Sequence, residues 1–401
     1  LLRRTFKAFE YPEFRRMWIG ACTSSVGTWM QQLAQSWLVF EISGSSRLLG
    51  LDAFLGQIPI MLLSLVGGVV ADRVDRRRIL LASQFVQMGC AFLLTALVAT
   101  GTVQVWHILC LSFTVGMAQA FGGPAYQALI PMLVKSEDLP NAIALNSIQF
   151  NLARIIGPVL GGIALSKLGA AWCFGLNGLS YIAVVITLWM VKARFTPEMG
   201  KETMLDSMKR GFQFIRGQAS MVSLIVLAFL LTCLGIPVIT FLPVFVKNIF
   251  GRGPDAYTLL LAVSGAGSVT GALVVATLGN LKQKGRVTLV NILLLGVFIG
   301  AFSQSKSLWL SCVFLFLGSA ALISVFSMIS SLVQLIATDQ MRGRVMSVYN
   351  VAFRGGMPVG NYAGGEIMER VGAPAVILAN GVLLVVTAVY FFFAHKKVTR
   401  L

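Results

Sequence analysis

Charged side chains are scarce in this 401-residue chain: Asp, Glu, Lys and Arg make up 12% of it, against 57% apolar residues. Soluble domains average about 25% charged and about 45–50% apolar residues. So little charge cannot coat a water-soluble globule. That excludes a soluble single-core enzyme, a disordered polypeptide and a secreted disulfide scaffold. Cysteine is sparse as well. The six cysteines (Cys22, Cys90, Cys110, Cys173, Cys233 and Cys312) all fall in charge-poor stretches and none has a CxxC neighbour. They read as free thiols packed as small apolar groups, and no metal is expected. The two histidines, His107 and His395, fall at the ends of apolar stretches and read as interfacial. No GxxxxGK[ST] loop is present, which argues against an ATP-driven pump, and no cofactor is expected. Acids are few, 15 against 32 Lys and Arg, giving a net charge of +17. The basic residues are dispersed over short segments without a binding module, so nucleic acid is not an expected partner.

Long hydrophobic runs are what the chain has in abundance. Stretches free of Asp, Glu, Lys and Arg run over 17–40, 53–71, 79–134, 168–191, 217–246, 256–281, 287–305, 307–338 and 371–394. The run at 79–134 is long enough for two spans and breaks at Thr100-Gly101-Thr102. Two more, 139–166 and 345–365, are each interrupted by one arginine, Arg154 and Arg354. A helix needs about 20 apolar residues to cross a bilayer. The expectation is an all-α integral membrane protein of twelve transmembrane helices. The first run reads as a retained span, not a removable signal peptide. Of the 32 basic residues, 24 fall on the N-terminal segment and the even-numbered connections, and 6 on the odd-numbered ones. The positive-inside rule then puts both termini in the cytoplasm, and the net charge is accounted for by topology and contact with anionic lipid.

The two halves repeat each other. Arg154-Ile-Ile-Gly157-Pro158 aligns with Arg354-Gly-Gly-Met357-Pro358, and Gly169 and Asn177-Gly178 align with Gly372 and Asn380-Gly381. Phe250-Gly251 echoes Ser43-Gly44, and Gly271 falls where Gly68 falls. Such a duplication predicts two six-helix bundles, residues 1–192 and 221–401. Between them, 193–220 is the longest polar segment, and its apolar positions 208, 212 and 215 predict an amphipathic helix on the cytoplasmic surface. Parallel duplicated bundles with a site between them are a transporter architecture.

After span 2 the chain reads Gly68-Val-Val-Ala-Asp72-Arg73-Val-Asp75-Arg76-Arg77-Arg78. This resembles the loop signature of the major facilitator superfamily, with Asp75 where that pattern usually has glycine. The resemblance implies a cytoplasmic gate of Gly68, Asp72, Arg73, Arg76 and Arg77, with Asp72 facing the start of span 11 near 342–345. Span 5 carries Ala153-Arg154-Ile-Ile-Gly157-Pro158-Val-Leu-Gly161-Gly162. It is similar to the antiporter motif of the same superfamily, with Ala153 in place of its first glycine. Small residues on one face allow close helix packing, and Gly265, Gly267, Ser268 and Gly271 of span 8 offer a matching face. Phe14-Arg-Arg-Met-Trp18-Ile-Gly20, Phe121-Gly-Gly-Pro124-Ala and Pro243-Val-Phe245 resemble the branch that holds enterobactin exporters and macrolide efflux pumps. That resemblance implies export of amphipathic compounds in exchange for protons. Drug/proton antiporters of this superfamily often carry an arginine in span 4 ahead of a glycine; if Gly116 is that glycine, Ser112 holds the arginine's place.

Ionisable groups inside spans cost about 2.5–3.5 kcal/mol on insertion scales and are functional candidates. Asp52 and Glu366 are candidates for proton coupling; Glu366 also has Arg370 four residues on, where a local ion pair forms readily. Arg154 and Arg354 fall near mid-span and suit an anionic or catecholate-like group, or a carboxylate partner. Thr28, Gln31 and Gln35 share one face of span 1, and Ser324, Ser327, Ser331 and Gln334 run along span 10. With Gln119 and Tyr126 of span 4 they form a candidate substrate cavity.

The expected protein is a monomeric, multi-pass secondary transporter of the bacterial inner membrane, working by alternating access on small amphipathic drug- or siderophore-like molecules, with protons and membrane lipids as its other partners. The alternative is an uncoupled lysophospholipid translocator of the same fold, which a shortage of coupling carboxylates favours.

Overall fold

The computed structural model describes residues 6–191, 204–278, 283–338 and 340–394, the side chains of 204–208 and 278 excepted. The interfacial reading of His395 and the linker residues 193–203 lie outside the described residues, as do several of the cations used to assign the cytoplasmic side.

Apolar runs with no water to compete for backbone groups favour continuous helix, even with the many Val and Ile residues these runs contain. Ten helices among the described residues are long and apolar enough to cross a membrane. In chain order the α-helices are α1 (Pro12–Ser43), α2 (Ser46–Arg73), α3 (Arg76–Ala99), α4 (Val105–Leu129), α5 (Leu139–Leu168), α6 (Ala170–Met190), α7 (Met204–Arg216), α8 (Ala219–Gly235), α9 (Pro237–Thr240), α10 (Leu242–Asn248), α11 (Pro254–Leu278), α12 (Lys284–Gln304), α13 (Leu308–Ile336), α14 (Arg342–Val371) and α15 (Ala373–Ala394). The ten crossing-length segments include neither α1 nor α14, although these run for 32 and 30 residues. Their amides, hydroxyls and charges dilute the apolar signal without shortening the helix.

Two compact units divide the chain: Leu1–Ser43 with Leu55–Lys201, and Gly44–Phe54 with Glu202–Leu401. In the first unit, α1 packs on α5 and α6, and α3 packs on α4 and α6. Lipid tails offer no hydrophobic drive between helices, so close approach depends on small side chains. A Cβ built on Gly157 would lie 2.5 Å from the Trp29 Cβ and 2.8 Å from the Val26 carbonyl oxygen. Gly67 of α2 faces the Ala120 carbonyl of α4 in the same way. At one end of this unit the turn Lys7–Glu10 is pinned: the Ala8 amide donates to Asn141 Oδ1 at 2.9 Å, and Lys7 Nζ lies 2.9 Å from Asp138.

The second unit repeats the scheme: α12 packs on α13 and α15, and α14 packs on α8. Gly271 of α11 faces the Ala320 carbonyl of α13, matching Gly67 and Ala120, so the packing equivalent of Gly271 is Gly67, one residue before Gly68. The repeat-related helices α5 and α14 both end on a glycine of positive φ, Gly169 at 90° and Gly372 at 84°, a conformation other residues reach only with strain. The polar segment contains α7. This helix packs on α14, where Gly211 leaves 2.8 Å between a built Cβ and the Arg344 carbonyl oxygen, while Phe212 is exposed.

Candidate functional site

The basic loop after α2 is held by its own arginines. Arg76 Nη1 donates to the Ala128 carbonyl at 2.9 Å and its Nε to the Ala71 carbonyl at 3.2 Å, while Arg77 Nη2 donates to the Trp189 carbonyl at 2.9 Å. Those three carbonyls are at the C-terminal ends of α4, α2 and α6. Helix ends leave unpaired carbonyls and carry partial negative charge, so guanidinium groups there complement three helices at once. Asp72 is 62% exposed and pairs with Arg76 at 3.6 Å. Asp75, in the usual glycine position, accepts from the Arg77 amide at 2.9 Å and caps α3. Arg73 is exposed. The sequence pattern pointed to this cluster; its tie to three carbonyl ends is visible only once the helices are assembled.

Span 1 contributes amides to a connected network inside the first unit. Gln35 Nε2 donates to Ser112 Oγ at 2.8 Å. Asn177 Nδ2 donates to Gln31 Oε1 at 2.6 Å. The Tyr181 hydroxyl donates to Gln87 Oε1 at 3.3 Å and lies 3.3 Å from Thr28 Oγ1. Gln87 Nε2 reaches Ser83 Oγ at 3.0 Å, and Ser83 donates to the Ala118 carbonyl at 2.8 Å. Polar groups in an apolar medium must find such partners. Gln87, Asn177 and Tyr181 are invisible to periodicity, because isolated polar residues on α3 and α6 carry no repeating signal. Tyr126 donates to Asn146 Oδ1 at 2.7 Å, and Gln119 is exposed on α4.

Gly157 and Gly161 are buried against α1, where a Cβ on Gly161 would lie 2.9 Å from Met30 Cγ; Pro158 and Gly162 are buried beside them. Gly267 and Gly271 of α11 meet α13. Both small-residue faces are thus filled inside their own units. Arg154 is half-buried at the sixteenth of 30 positions in α5, and Arg354 is exposed at the thirteenth of 30 in α14.

In the second unit, Glu366 of α14 is shared by two guanidinium groups: Arg47 Nε at 3.0 Å and Arg370 Nη2 at 3.2 Å. Glu369 accepts from Ser45 Oγ at 3.1 Å and from the Arg47 amide at 3.3 Å. Gly365 brings the segment Gly44–Phe54 close, with 2.7 Å between a built Cβ and the Ser46 carbonyl oxygen. Asp52, in that segment, is 6% exposed. Arg47 carries no motif, so only the fold reveals it as a partner of Glu366.

Along α13, Ser327, Ser330, Ser331 and Gln334 open into a cavity of about 400 Å³ that is completed by Leu335 and by Arg342, the first residue of α14. Gln334 Nε2 donates to Ser330 Oγ at 3.2 Å. Ser327 and Gln334 therefore share one cavity, and Arg342 is the residue the pattern missed.

Comparison with known proteins bears on the family and the fold. The family model described as a transmembrane secretion effector matches residues 4–400. Macrolide efflux protein A of Streptococcus pyogenes is 21% identical over 94% of this chain and 94% of its own. The staphyloferrin A transporter of Staphylococcus aureus is 23% identical over 93% and 94%, and the enterobactin exporter of Shigella boydii 27% over 81% and 76%. Among solved structures, a bacterial homolog of the human lysosomal transporter Spinster, inward-facing and unoccupied, matches with a TM-score of 0.77 at 15% identity, covering 96% of this chain and 97% of that one. A D-xylose-proton symporter matches with a TM-score of 0.75 at 11% identity, covering 96% and 98%.

Proposed function

We propose that this chain, which belongs to the transmembrane secretion effector family of the major facilitator superfamily, exports small amphipathic organic molecules in exchange for protons. That it is a multi-pass secondary transporter and not an enzyme follows from its family, its relatives and its apolar helices. The relatives named for macrolide, staphyloferrin A and enterobactin transport support an amphipathic substrate. On this reading α1 and α14 also cross the membrane, giving twelve spans with both termini cytoplasmic in a bacterial inner membrane. The protein acts as a monomer, and the bundles 1–192 and 221–401, joined through 193–220, alternate in access to a shared path.

The observation that carries the reading is the polar face of α13 opening into a cavity of about 400 Å³, the size range of small-molecule pockets. The cavity residues Ser327 and Gln334 contact substrate; Thr28, Gln31, Gln35, Gln119, Tyr126, Arg154 and Arg354 belong to the same path. Gly68, Asp72, Arg73, Arg76 and Arg77 form the cytoplasmic gate, and Gly157, Pro158, Gly161 and Gly162 the tight packing that limits leak. Asp52, buried and carboxylic, is the first candidate for proton coupling, and Glu366 the second. The test uses proteoliposomes with an imposed pH gradient. Gradient-driven accumulation of an amphipathic substrate is expected in the wild type, with Asp52→Asn losing the response but keeping substrate binding. Indifference of the wild type to the gradient would count against exchange with protons.

A second reading, an uncoupled lysophospholipid translocator, draws support from Glu366, whose carboxylate is engaged by two arginines at 3.0 and 3.2 Å and so is poorly placed to cycle a proton. Gradient-independent movement of labelled lysolipid in the same vesicles would select it.

A further inference from the structure

The cavity on α13 has a chemistry that the transport reading does not specify. Its lining comprises one guanidinium, three hydroxyls, one carboxamide and one leucine, with no carboxylate among the described lining residues. Ser327, Ser330 or Ser331, and Gln334 recur at helical spacing, so their polar groups converge on one side of α13. Because the Gln334 amide donates to Ser330 Oγ, that hydroxyl keeps its own proton to give away. Arg342 stands at the start of the 30-residue α14, where the helix carries its partial positive charge. The set is therefore rich in donors and includes one cation, while Leu335, 67% exposed, adds an apolar wall.

We infer that this cavity is an oxyanion subsite that selects substrates bearing a carboxylate, or a phosphate, next to an apolar body. A guanidinium binds a carboxylate with charge-assisted hydrogen bonds, and hydroxyls complete its remaining lone pairs. A neutral amphiphile gains only uncharged hydrogen bonds there, and a cationic one meets a like charge. The inference rests on the cavity being part of the transport path, and it narrows the substrate class to organic anions. A lipid headgroup phosphate and a soluble carboxylate present the same chemistry, so the experiment separates them.

The test uses the purified full chain in phosphatidylcholine nanodiscs and two fluorescent probes of nearly equal shape, 1-hydroxy-2-naphthoate and its carboxamide. The carboxylate is expected to bind about tenfold more tightly than the amide, the difference between a charge-assisted and a neutral hydrogen-bonded pair. Arg342→Lys keeps most of this preference. Arg342→Gln abolishes it, bringing carboxylate affinity down to about that of the amide. Equal affinities in the wild type, or an undiminished preference in Arg342→Gln, overturn the assignment. If Arg342→Gln does not fold, the pair Ser331→Ala with Gln334→Leu must lower carboxylate affinity several-fold, and an unchanged affinity is equally fatal. Displacement of the probe by added phosphatidylglycerol assigns the oxyanion to a lipid headgroup; indifference assigns it to a soluble anion, and either supports the subsite. A chain that pumps an amphiphile yet shows no carboxylate preference refutes the subsite and leaves the transport reading standing.

Discussion

Replacing Gly157 by alanine adds a single methyl group at the contact between α5 and α1. That methyl would lie 2.5 Å from the Trp29 Cβ, 2.8 Å from the Val26 carbonyl oxygen and 3.3 Å from the Met30 amide nitrogen. All three atoms belong to the backbone of α1 or to the root of a side chain, so no rotamer change relieves the clash. Overpacking of this kind costs about 1–3 kcal/mol, and the unyielding neighbours place Gly157→Ala at the upper end. A useful control is Gly89 of α3, which is exposed and has nothing within 4 Å of a built Cβ. There alanine gains about 0.5–1 kcal/mol of helix propensity without a clash. At about 2–4 °C per kcal/mol for chains of about 150–250 residues, and less for a longer one, Gly157→Ala should melt a few degrees lower in detergent and Gly89→Ala slightly higher. Fluorescence-detected size exclusion after heating reads both. If Gly157→Ala melts at or above the wild type, the close-packing account of the span 5 motif is wrong.

Arg76→Ala removes donors from the Ala71 and Ala128 carbonyls and should cost about 2–3 kcal/mol, since hydrogen bonds to charged groups are worth about 1.5–3 kcal/mol. Asp72→Asn, at an exposed pair 3.6 Å long, should cost less than about 1 kcal/mol; equal losses in melting temperature for the two variants would refute the carbonyl-capping role. Asp138 holds the Lys7 ammonium above its ordinary value of 10.5 through a hydrogen bond and charge attraction. The stability Lys7 adds is complete below that ordinary value and disappears as pH rises through the folded one. Melting curves recorded between about pH 9 and about pH 12 should fall more steeply for the wild type than for Lys7→Met, and parallel curves would contradict the pairing. Gly211→Leu should undock α7 from the Arg344 carbonyl and speed hydrogen exchange in residues 209–216; unchanged exchange would show that α7 does not depend on that contact.

The helices were readable because lipid imposes a coarse rule: each crossing needs a long run without charge, and the runs stand out in the sequence. The break at Thr100-Gly101-Thr102 is the turn between α3 and α4, and the polar segment after 193 holds α7. The loop arginines and the span 5 glycines were legible as motifs for a similar reason, since a basic loop and a small-residue face depend on local spacing. Register was harder. The contact of span 2 with the Ala120 carbonyl is made by Gly67, one residue before the motif's Gly68; a helix turns by about 100° per residue, so neighbouring positions face different partners.

What the order of residues decides alone is membrane residence, helix length and the duplicated plan, each following from local composition and its repetition along the chain. Tertiary structure alone decides which polar groups are already satisfied and which remain open. Gln31 and Gln35 share a helical face yet bond to Asn177 and Ser112 inside their unit, whereas Ser327 and Gln334 look into a cavity beside Arg342. A side chain's partners are set by residues distant in the chain, and no spacing on one helix encodes what another helix brings to face it.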